Sequence, residues 1–382
     1  MQKLAASMLA AALLVLLIQL PSYFAISHYL PAPQVVLAST FVGYVLILWM
    51  AAVHAPPMKL LGSWVVCAVF LIGLWAAIWK MYFYVKALPS PPSSDTALMA
   101  PIEALRMGRG MYDLDGLIDV PASPGPGWVL FNSPFTFAGQ SIAYTFLTPT
   151  YVLLGWLMLR VAGHTARFAN MWMLLLFSGF ISWELSLGGY DIIAMSVVVM
   201  VLYLLVERFS LEKLGWASIL VAVAVGLFGT ARVVFPYLAP LFGLLIWKHD
   251  RVHALLFTLV ALAVTVGAHA IVYFQSEFYH PFHLFDRAGT RMGTTVMIAG
   301  AIVTAFVLLA AFVLMKRDRK SQLGWFTLGL GTPFAFIAFG ELADNGWRFQ
   351  GWEGGNYLVP VTATAILFVL RRLDVDAKPV TA

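Results

Sequence analysis

Residues 188–209 read GGYDIIAMSVVVMVLYLLVERF, in which an uncharged apolar run separates Asp191 from Glu207. A helix needs about 20 apolar residues to cross the roughly 30 Å of hydrocarbon in a bilayer. Because lipid offers no hydrogen bonds to an open backbone, a run of this kind predicts a membrane-spanning helix rather than an exposed strand. Similar runs recur along the chain, so we expect a helical membrane protein.

The composition indicates the same class. With 61% hydrophobic and 11% charged residues, the chain has too little polar surface to cover a soluble globule. The net charge of +5 could suggest nucleic acid, but the basic residues form short clusters between apolar runs, which favours topology signals and no nucleic-acid partner. The single Cys67 lies inside an apolar run, which excludes a disulfide framework and a thiolate metal site.

The apolar runs predict an all-α polytopic bundle that forms a single transmembrane domain over residues 1–382. The run that follows Lys3 continues past Leu20 without a clear cleavage site, which favours a first span over a signal peptide. We predict about twelve spans. Their expected centres are Val15, Val45, Leu71, Leu153, Leu175, Val199, Val223, Leu241, Leu262, Val307, Ala335 and Ala365.

The basic clusters orient these spans. They fall on one side of the predicted topology, which the positive-inside rule makes cytoplasmic, together with both termini. These residues are Lys3, Lys59, Arg160, Arg167, Arg208, Lys213, Lys248, Arg251, Lys316, Arg317, Arg319, Lys320, Arg371 and Arg372. The outer side then receives residues 86–140, 188–191, 229–236, 275–294 and 341–357, and a site that faces outward is expected there.

The loop 86–140 is the only long polar interruption. It holds five carboxylates, Asp95, Glu103, Asp113, Asp115 and Asp119. Ser94 and Asp95 predict a helix start, Leu98, Ile102 and Leu105 form one apolar stripe on a helix along the membrane surface, and Gly108 ends it. A carboxylate at this depth could act on a lipid-linked substrate, or it could only cap the helix; the spacing leaves both roles open.

Several motifs occur in an order that resembles the GT-C superfamily of integral-membrane glycosyltransferases, most closely its bacterial mannosyltransferase-like branch. The resemblance covers about residues 95–370, although the carboxylate loop follows the third predicted span instead of the first. The similar segments are Asp95 with Ala104-Leu105, Gly108 and Tyr112-Asp113; Asn132-Ser133-Pro134-Phe135 to Pro149; Gly188-Gly189-Tyr190-Asp191; Gly229-Thr230-Ala231-Arg232 through Pro236 and Pro240; and Trp352-Glu353-Gly354-Gly355-Asn356-Tyr357.

The resemblance implies transfer of a sugar, with inversion, from a polyprenyl-phosphate donor to a hydroxyl of a glycan, glycolipid or protein acceptor. The reaction would take place on the outer face of a membrane, expected to be the bacterial cytoplasmic membrane, without a cofactor. Asp95 would be the general base and Arg232 would bind the donor phosphate. Asp191 is the rival base, and its alternative role is to pair with Arg232 or another arginine of the outer loops.

Further outer residues complete the expected site. His280, His283, Arg287 and Arg291 are candidate contacts of the phosphate or sugar. The two histidines have zinc-ligand spacing, but no third ligand accompanies them, so no metal is expected. Candidate contacts of the sugar or acceptor are Glu103, Tyr112, Asp113, Trp352 and Tyr357, although residues such as Trp352 and Tyr357 most often belong to an interfacial belt. Glu184, inside a predicted span, needs an inward-facing partner and could line the same cavity.

Two other classes remain open from the sequence. A transporter or lipid flippase would also have about twelve spans, but it would place charges at mid-membrane in paired halves. A ligase or polymerase of the O-antigen type would also use arginines and histidines of outer loops, but its large outer loop usually comes late in the chain.

Overall fold

The computed structural model describes residues 2–27, 38, 42, 59–87, 94–118, 122, 124–136, 140–211, 214–274, 279, 283–348, 353–373 and 375. Within these residues the chain is all-helical. The α-helices are α1 Gln2–Ser27, α2 Trp64–Lys86, α3 Ser94–Arg106, α4 Pro126–Asn132, α5 Gln140–Val161, α6 Ala166–Leu176, α7 Phe180–Leu187, α8 Ile192–Phe209, α9 Trp216–Gly229, α10 Leu238–Trp247, α11 Arg251–Tyr273, α12 His283–Leu314, α13 Arg319–Asp344 and α14 Val359–Arg372. Short 3₁₀ helices cover Lys59–Gly62, Ser133–Thr136, Phe235–Tyr237 and Glu353–Leu358.

Six helices of the described chain are long and apolar enough to cross a membrane, which makes this a helical membrane protein. They are Trp64–Lys86, Ile192–Phe209, Arg251–Tyr273, Gly293–Leu314, Arg319–Asp344 and Gly354–Arg372. The pair α6 and α7 is bent by 76° and would form a seventh span if the two helices act together.

The prediction of about twelve spans is therefore not met in the part of the chain that the structure describes. Sequence hydropathy marks where apolar helices occur, but it does not fix their length. The α9 helix has 14 residues, which gives it a length of about 21 Å at 1.5 Å per residue, short of the hydrocarbon thickness. The α10 helix and the apolar part of α1 are short as well, and the centre predicted at Val45 lies outside the described residues.

The interior of the bundle is built around α8 and α14. Ser196 on α8 accepts a hydrogen bond from the backbone N–H of Ala363 on α14 at 3.0 Å, and Trp172 on α6 donates to the carbonyl of Ala363 at 3.1 Å. By contrast, α11 and α12 expose large apolar side chains such as Leu259 and Phe306. Apolar faces of this size are suited to lipid rather than water.

Different loops pack around the two ends of α8. Around its last turn, which we name the Glu207 end, Arg371 and Arg319 lie beside Glu207, Arg208 donates to the carbonyl of Val161, and Gln322 contacts His249. Around its first residue, which we name the Asp191 end, the loop 94–136 meets the turn that follows α9. The basic clusters and the carboxylate loop thus lie at opposite ends of the bundle.

The loop helix α3 forms where the sequence predicts it. It begins at Ser94 and ends at Arg106, and Gly108 follows with φ +74°, a left-handed conformation that glycine adopts without strain. Its predicted stripe is only partly correct, because Leu98 and Ile102 are buried whereas Leu105 is 41% exposed. Burial of α3 against the helix Pro126–Asn132 and the bundle, rather than against a membrane surface alone, explains the difference.

Candidate functional site

The most unusual side chain at the Asp191 end is that of Asp191 itself. It occupies the N-cap position of α8 but makes no capping hydrogen bond with its side chain. Instead, its carboxylate accepts hydrogen bonds from Trp128 Nε1 at 2.7 Å and from Arg232 Nη2 at 3.1 Å. The side chain is only 1% exposed. The Asp191 carboxylate thus makes hydrogen bonds to residues distant in the sequence instead of the usual N-cap hydrogen bond, and these bonds compensate for its burial.

Arg232, the second member of this ion pair, is placed differently. It lies in the turn after α9, its Nη1 donates to the carbonyl of Ala231 at 3.0 Å, and its side chain remains 19% exposed. Among the described residues, none accepts a hydrogen bond from its Nε. The Arg232 side chain is therefore partly exposed, whereas the carboxylate it binds is enclosed.

Trp128 reaches the pair because α4 docks very closely on the end of α9. A Cβ atom on Gly125 would lie 1.8 Å from the carbonyl oxygen of Thr230, and one on Gly127 would lie 2.1 Å from the carbonyl oxygen of Leu227. The N–H of Gly127 also donates to Thr230 Oγ1 at 2.8 Å. Only glycine permits this approach, so these two positions set the depth of the tryptophan.

Aromatic rings fix the orientation of the Trp128 indole. It stacks on Tyr151 with ring centroids 5.6 Å apart and meets Phe228 edge-on at 5.5 Å. Tyr151 donates in turn to Asn132 Oδ1 at 3.1 Å, and the Asn132 amide donates to the carbonyl of Trp128 at 2.7 Å. Contacts with residues of α4, α5 and α9 thus fix the position of the Trp128 indole N–H that donates to Asp191.

Contacts between Tyr112 and Tyr279 attach a second part of the loop 94–136 to the Asp191 end. Their rings lie 4.4 Å apart, Tyr112 donates to the carbonyl of Pro124 at 2.6 Å, and Ala122 forms an isolated bridge with Tyr279. Burial and the neighbouring Tyr279 raise the pKa of the Tyr112 phenol well above its usual range, although Arg232 opposes the shift. Burial also raises the pKa of Tyr279. Both phenols therefore stay protonated donors at neutral pH.

The predicted site residues fall into three groups. The structure brings together Asp191, Arg232 and Tyr112. Two others have different surroundings, since Glu103 is paired with Arg106 at 3.3 Å on α3 and Asp113 is exposed.

Tyr357 lies half-buried in the 3₁₀ helix Glu353–Leu358. Half-buried Glu184 lies on α7, in the bent helix pair. The side chains of the third group are not described. The structure describes only the backbone of Asp95 on α3 and of His283, Arg287 and Arg291 on α12. His280 and Trp352 lie outside the described residues.

Trp128 and Tyr151 belong to this site but were not predicted from the sequence, and Asn132 was named there only as part of a motif. A local signal was present, because residues 124–128 read PGPGW, and glycines alternating with prolines before a tryptophan are typical of a loop that approaches another backbone closely. The partner of that tryptophan, 63 positions along the chain, could not be identified from this signal.

The fold and the site together define a helical membrane protein with a buried carboxylate and a partly exposed guanidinium at one end of the bundle. In the described residues, no group of three potential metal ligands occurs. Compared with protein-family models, with characterised proteins and with solved structures, the chain matches none. Its function is therefore inferred from its own residues.

Proposed function

We propose that this protein is a membrane glycosyltransferase of the GT-C type, which moves a sugar from a polyprenyl phosphate to an acceptor hydroxyl. The observation that carries the proposal is the meeting of the loop 94–136 with the Asp191–Arg232 pair at one end of the bundle. A lipid-linked donor presents its phosphate at the membrane edge, which is the depth at which the ends of spanning helices lie.

Arg232 is the residue we assign to the donor phosphate. Arginine binds phosphate oxygens through parallel N–H donors, and hydrogen bonds to charged groups contribute about 1.5–3 kcal/mol each. Its 19% exposure leaves an edge for a ligand, while the contact with Asp191 fixes its direction. The positive charge would stabilise the phosphate as it departs.

Asp191 is assigned to positioning Arg232 rather than to proton transfer. Both of its oxygens lie within hydrogen-bonding distance of the guanidinium, at 3.1 and 3.4 Å, and one also accepts from Trp128. At 1% exposure it offers no surface to an acceptor. A general base must reach the proton it removes, so this role stays with Asp95, in the first turn of the helix that packs beside α4.

In the proposed step the acceptor oxygen forms a bond to the anomeric carbon, and the bond from that carbon to the phosphate oxygen breaks. The acceptor proton passes to the Asp95 carboxylate, and the bonding electrons leave with the polyprenyl phosphate. The configuration at the anomeric carbon inverts because attack and departure occur on opposite faces. No metal or cofactor is needed, since the lipid phosphate is itself a good leaving group.

The membrane orientation forms part of the same proposal. The Glu207 end would be cytoplasmic by the positive-inside rule, and the Asp191 end would face outward. Exposed Asp115 and Arg317 lie in segments assigned to opposite sides. We expect an impermeant thiol reagent to label Asp115→Cys but not Arg317→Cys in intact cells; the opposite pattern would reverse the orientation.

Transport of a lipid-linked substrate is the second candidate, and the bent pair α6 and α7 favours it. Helices broken within the membrane and half-buried ionisable residues such as Glu184 mark substrate pathways in many transporters. The two candidates differ in their products, because a transporter moves the donor intact.

The deciding experiment uses purified protein in lipid nanodiscs with a panel of radiolabelled polyprenyl-phosphate sugars. We expect one donor to be consumed, with transfer to an acceptor or slow hydrolysis, and with release of polyprenyl phosphate. Asp113→Asn, which changes an exposed carboxylate of the same loop, serves as the matched control. Intact donor that crosses a proteoliposome membrane without any turnover would favour transport and remove the transferase proposal.

A further inference from the structure

The Glu207 end carries a repeated arrangement of cations over aromatic rings. Five basic side chains there lie against a ring of their own helix or of a neighbour. The pairs and their distances to the ring centroid are Arg160 over Trp156 at 6.0 Å, Arg208 over Phe209 at 5.7 Å, Lys248 over Phe312 at 5.6 Å, Arg251 over Trp247 at 5.7 Å and Arg372 over Phe368 at 5.2 Å. Each pair holds a positive charge close to apolar surface.

Three carboxylates of this end, among the residues that the structure describes, are already engaged. Asp250 accepts from the backbone N–H of His253 at 3.0 Å, and Asp318 accepts from that of Ser321 at 2.8 Å, so both cap helices. Glu207 is bound by both Nη atoms of Arg371, at 2.9 and 2.8 Å.

Several exposed cations consequently have no ion pair in the part of the chain that the structure describes. They are Arg160, Arg208, Arg251, Lys316, Arg317 and Arg372. Two of them donate only to main-chain carbonyls, Arg160 to His164 and Arg208 to Val161. These exposed charges are therefore available to an anion from outside the described residues.

The surroundings of these cations indicate the chemistry of that anion. Phe209 and Phe312 are 41% and 40% exposed beside their cations, and Trp216 at the start of α9 is 82% exposed. A partner must therefore cover apolar surface and supply negative charge at the same level. Nucleic acid supplies the charge without the apolar chains, whereas a phospholipid supplies both.

We propose that the Glu207 end binds anionic phospholipids, whose phosphate groups contact the ring-backed cations Arg160, Arg208 and Arg372 while their acyl chains cover the adjacent apolar helix faces. These three cations are neighbours, because Arg208 reaches Val161 next to Arg160 and Arg372 follows Arg371, which is bound to Glu207. The proposal is independent of sugar transfer and holds for any function of the Asp191 end.

The test measures lipid selectivity of the full chain in membranes, with spin-labelled phosphatidylglycerol compared with spin-labelled phosphatidylcholine. We expect the motionally restricted fraction to favour phosphatidylglycerol, and added salt to weaken the preference. An attraction of about 1 kcal/mol for each cation near an anionic surface corresponds to about fivefold in association. In the triple variant Arg160→Gln, Arg208→Gln, Arg372→Gln, the selectivity for phosphatidylglycerol over phosphatidylcholine should therefore fall at least tenfold.

Two control variants keep this test decisive. The triple exchange of the same residues to Lys retains charge and should retain most of the selectivity. Lys86→Gln removes a cation over Tyr82, 5.7 Å from its ring, at the opposite end of the bundle, and should have no effect. Unchanged selectivity in the folded triple Gln variant, or its loss in Lys86→Gln instead, would overturn the proposal. Tighter binding of a single-stranded oligonucleotide than of phosphatidylglycerol to the same cations would also overturn it.

Discussion

The two ends of α8 each carry a buried ion pair, but the pairs are built differently. At the Glu207 end, Arg371 uses both Nη atoms on Glu207 and its Nε on His164 at 3.3 Å, and the two charged side chains are 10% and 6% exposed. At the Asp191 end the carboxylate is enclosed and the guanidinium is not. An ion pair in which both side chains are buried serves to join helices, whereas an ion pair in which one side chain is partly exposed can also bind a ligand.

The composition of each pair explains this difference. Arg371 lies in the last turn of α14 and Glu207 in the last turn of α8, so their contact joins two spans directly, and Arg319 of α13 lies 3.8 Å from Glu207. Arg232 instead lies in a turn, and the loop 94–136 supplies the third partner, Trp128. Loops on a rigid helical scaffold are the usual location of binding residues. We therefore propose that the Glu207 end contributes structural stability and that the Asp191 end performs the chemistry.

The largest effect is expected from Asp95→Asn, which tests whether the Asp191 end performs chemistry at all. Asparagine begins a helix nearly as well as aspartate, so the fold should persist. It cannot take the acceptor proton, and loss of a general base lowers the rate by about 10² to 10⁴. Donor turnover by the purified variant measures this, with Asp113→Asn as the control. Near-normal turnover by a folded Asp95→Asn variant would remove the general-base role from Asp95.

Arg371→Ala should break the buried ion pair with Glu207 and destabilise the protein. Removing one partner leaves Glu207 buried without its main counter-charge, which costs about 3–5 kcal/mol in comparable pairs. The neighbouring Arg372→Ala, at an exposed position, should change unfolding in neutral detergent by about 0.5 kcal/mol or less. The specific activity of the folded fraction should stay normal in both. Loss of activity in Arg371→Ala without loss of stability would contradict the division between the two ends.

Arg232→Ala should weaken donor binding by about 10- to 100-fold, as expected for the loss of a charged hydrogen bond to phosphate. Arg232→Lys should retain part of the affinity, because the charge survives while the planar fork is lost. Titration with the lipid-phosphate donor measures both variants.

Because Arg232→Ala also leaves Asp191 unpaired, a double variant is needed as a control. Asp191→Asn with Arg232→Gln replaces the ions by neutral amides, which should restore stability but not donor affinity. If affinity returned with stability, the phosphate role of Arg232 would be wrong.

Local signals explain what the sequence could predict. The start of α3 at Ser94 and its end before Gly108 follow from capping and from the left-handed glycine, which depend on a few adjacent residues. The division of basic clusters and carboxylate loop between opposite ends follows from the order of apolar runs. Such features need no knowledge of distant contacts.

Non-local packing explains what the sequence could not predict. The enclosure of Asp191 depends on Trp128, and the depth of Trp128 depends on α9, which lies a hundred positions later in the chain. The number of spans depends on where turns interrupt apolar runs, as between Gly229 and Phe235, rather than on hydropathy alone. Span number and residue burial are therefore properties of the packed bundle.

The smallest expected effect comes from Gly127→Ala, which tests whether close docking of α4 maintains the Asp191–Arg232 pair. The added Cβ would lie 2.1 Å from the carbonyl oxygen of Leu227, so α4 must move away from α9 and carry Trp128 from Asp191. Overpacking of this kind costs about 1–3 kcal/mol. We expect this loss in unfolding measurements, together with weaker donor binding, since Arg232 would lose its fixed direction. Gly110→Ala is the matched control in the same loop, because its Cβ would meet only Asp113 Cβ at 3.9 Å and should leave both properties unchanged. If Gly127→Ala behaved like Gly110→Ala, the contact of Trp128 with Asp191 would have no part in orienting Arg232 for a ligand. The two ion pairs would then differ only in the exposure of their side chains.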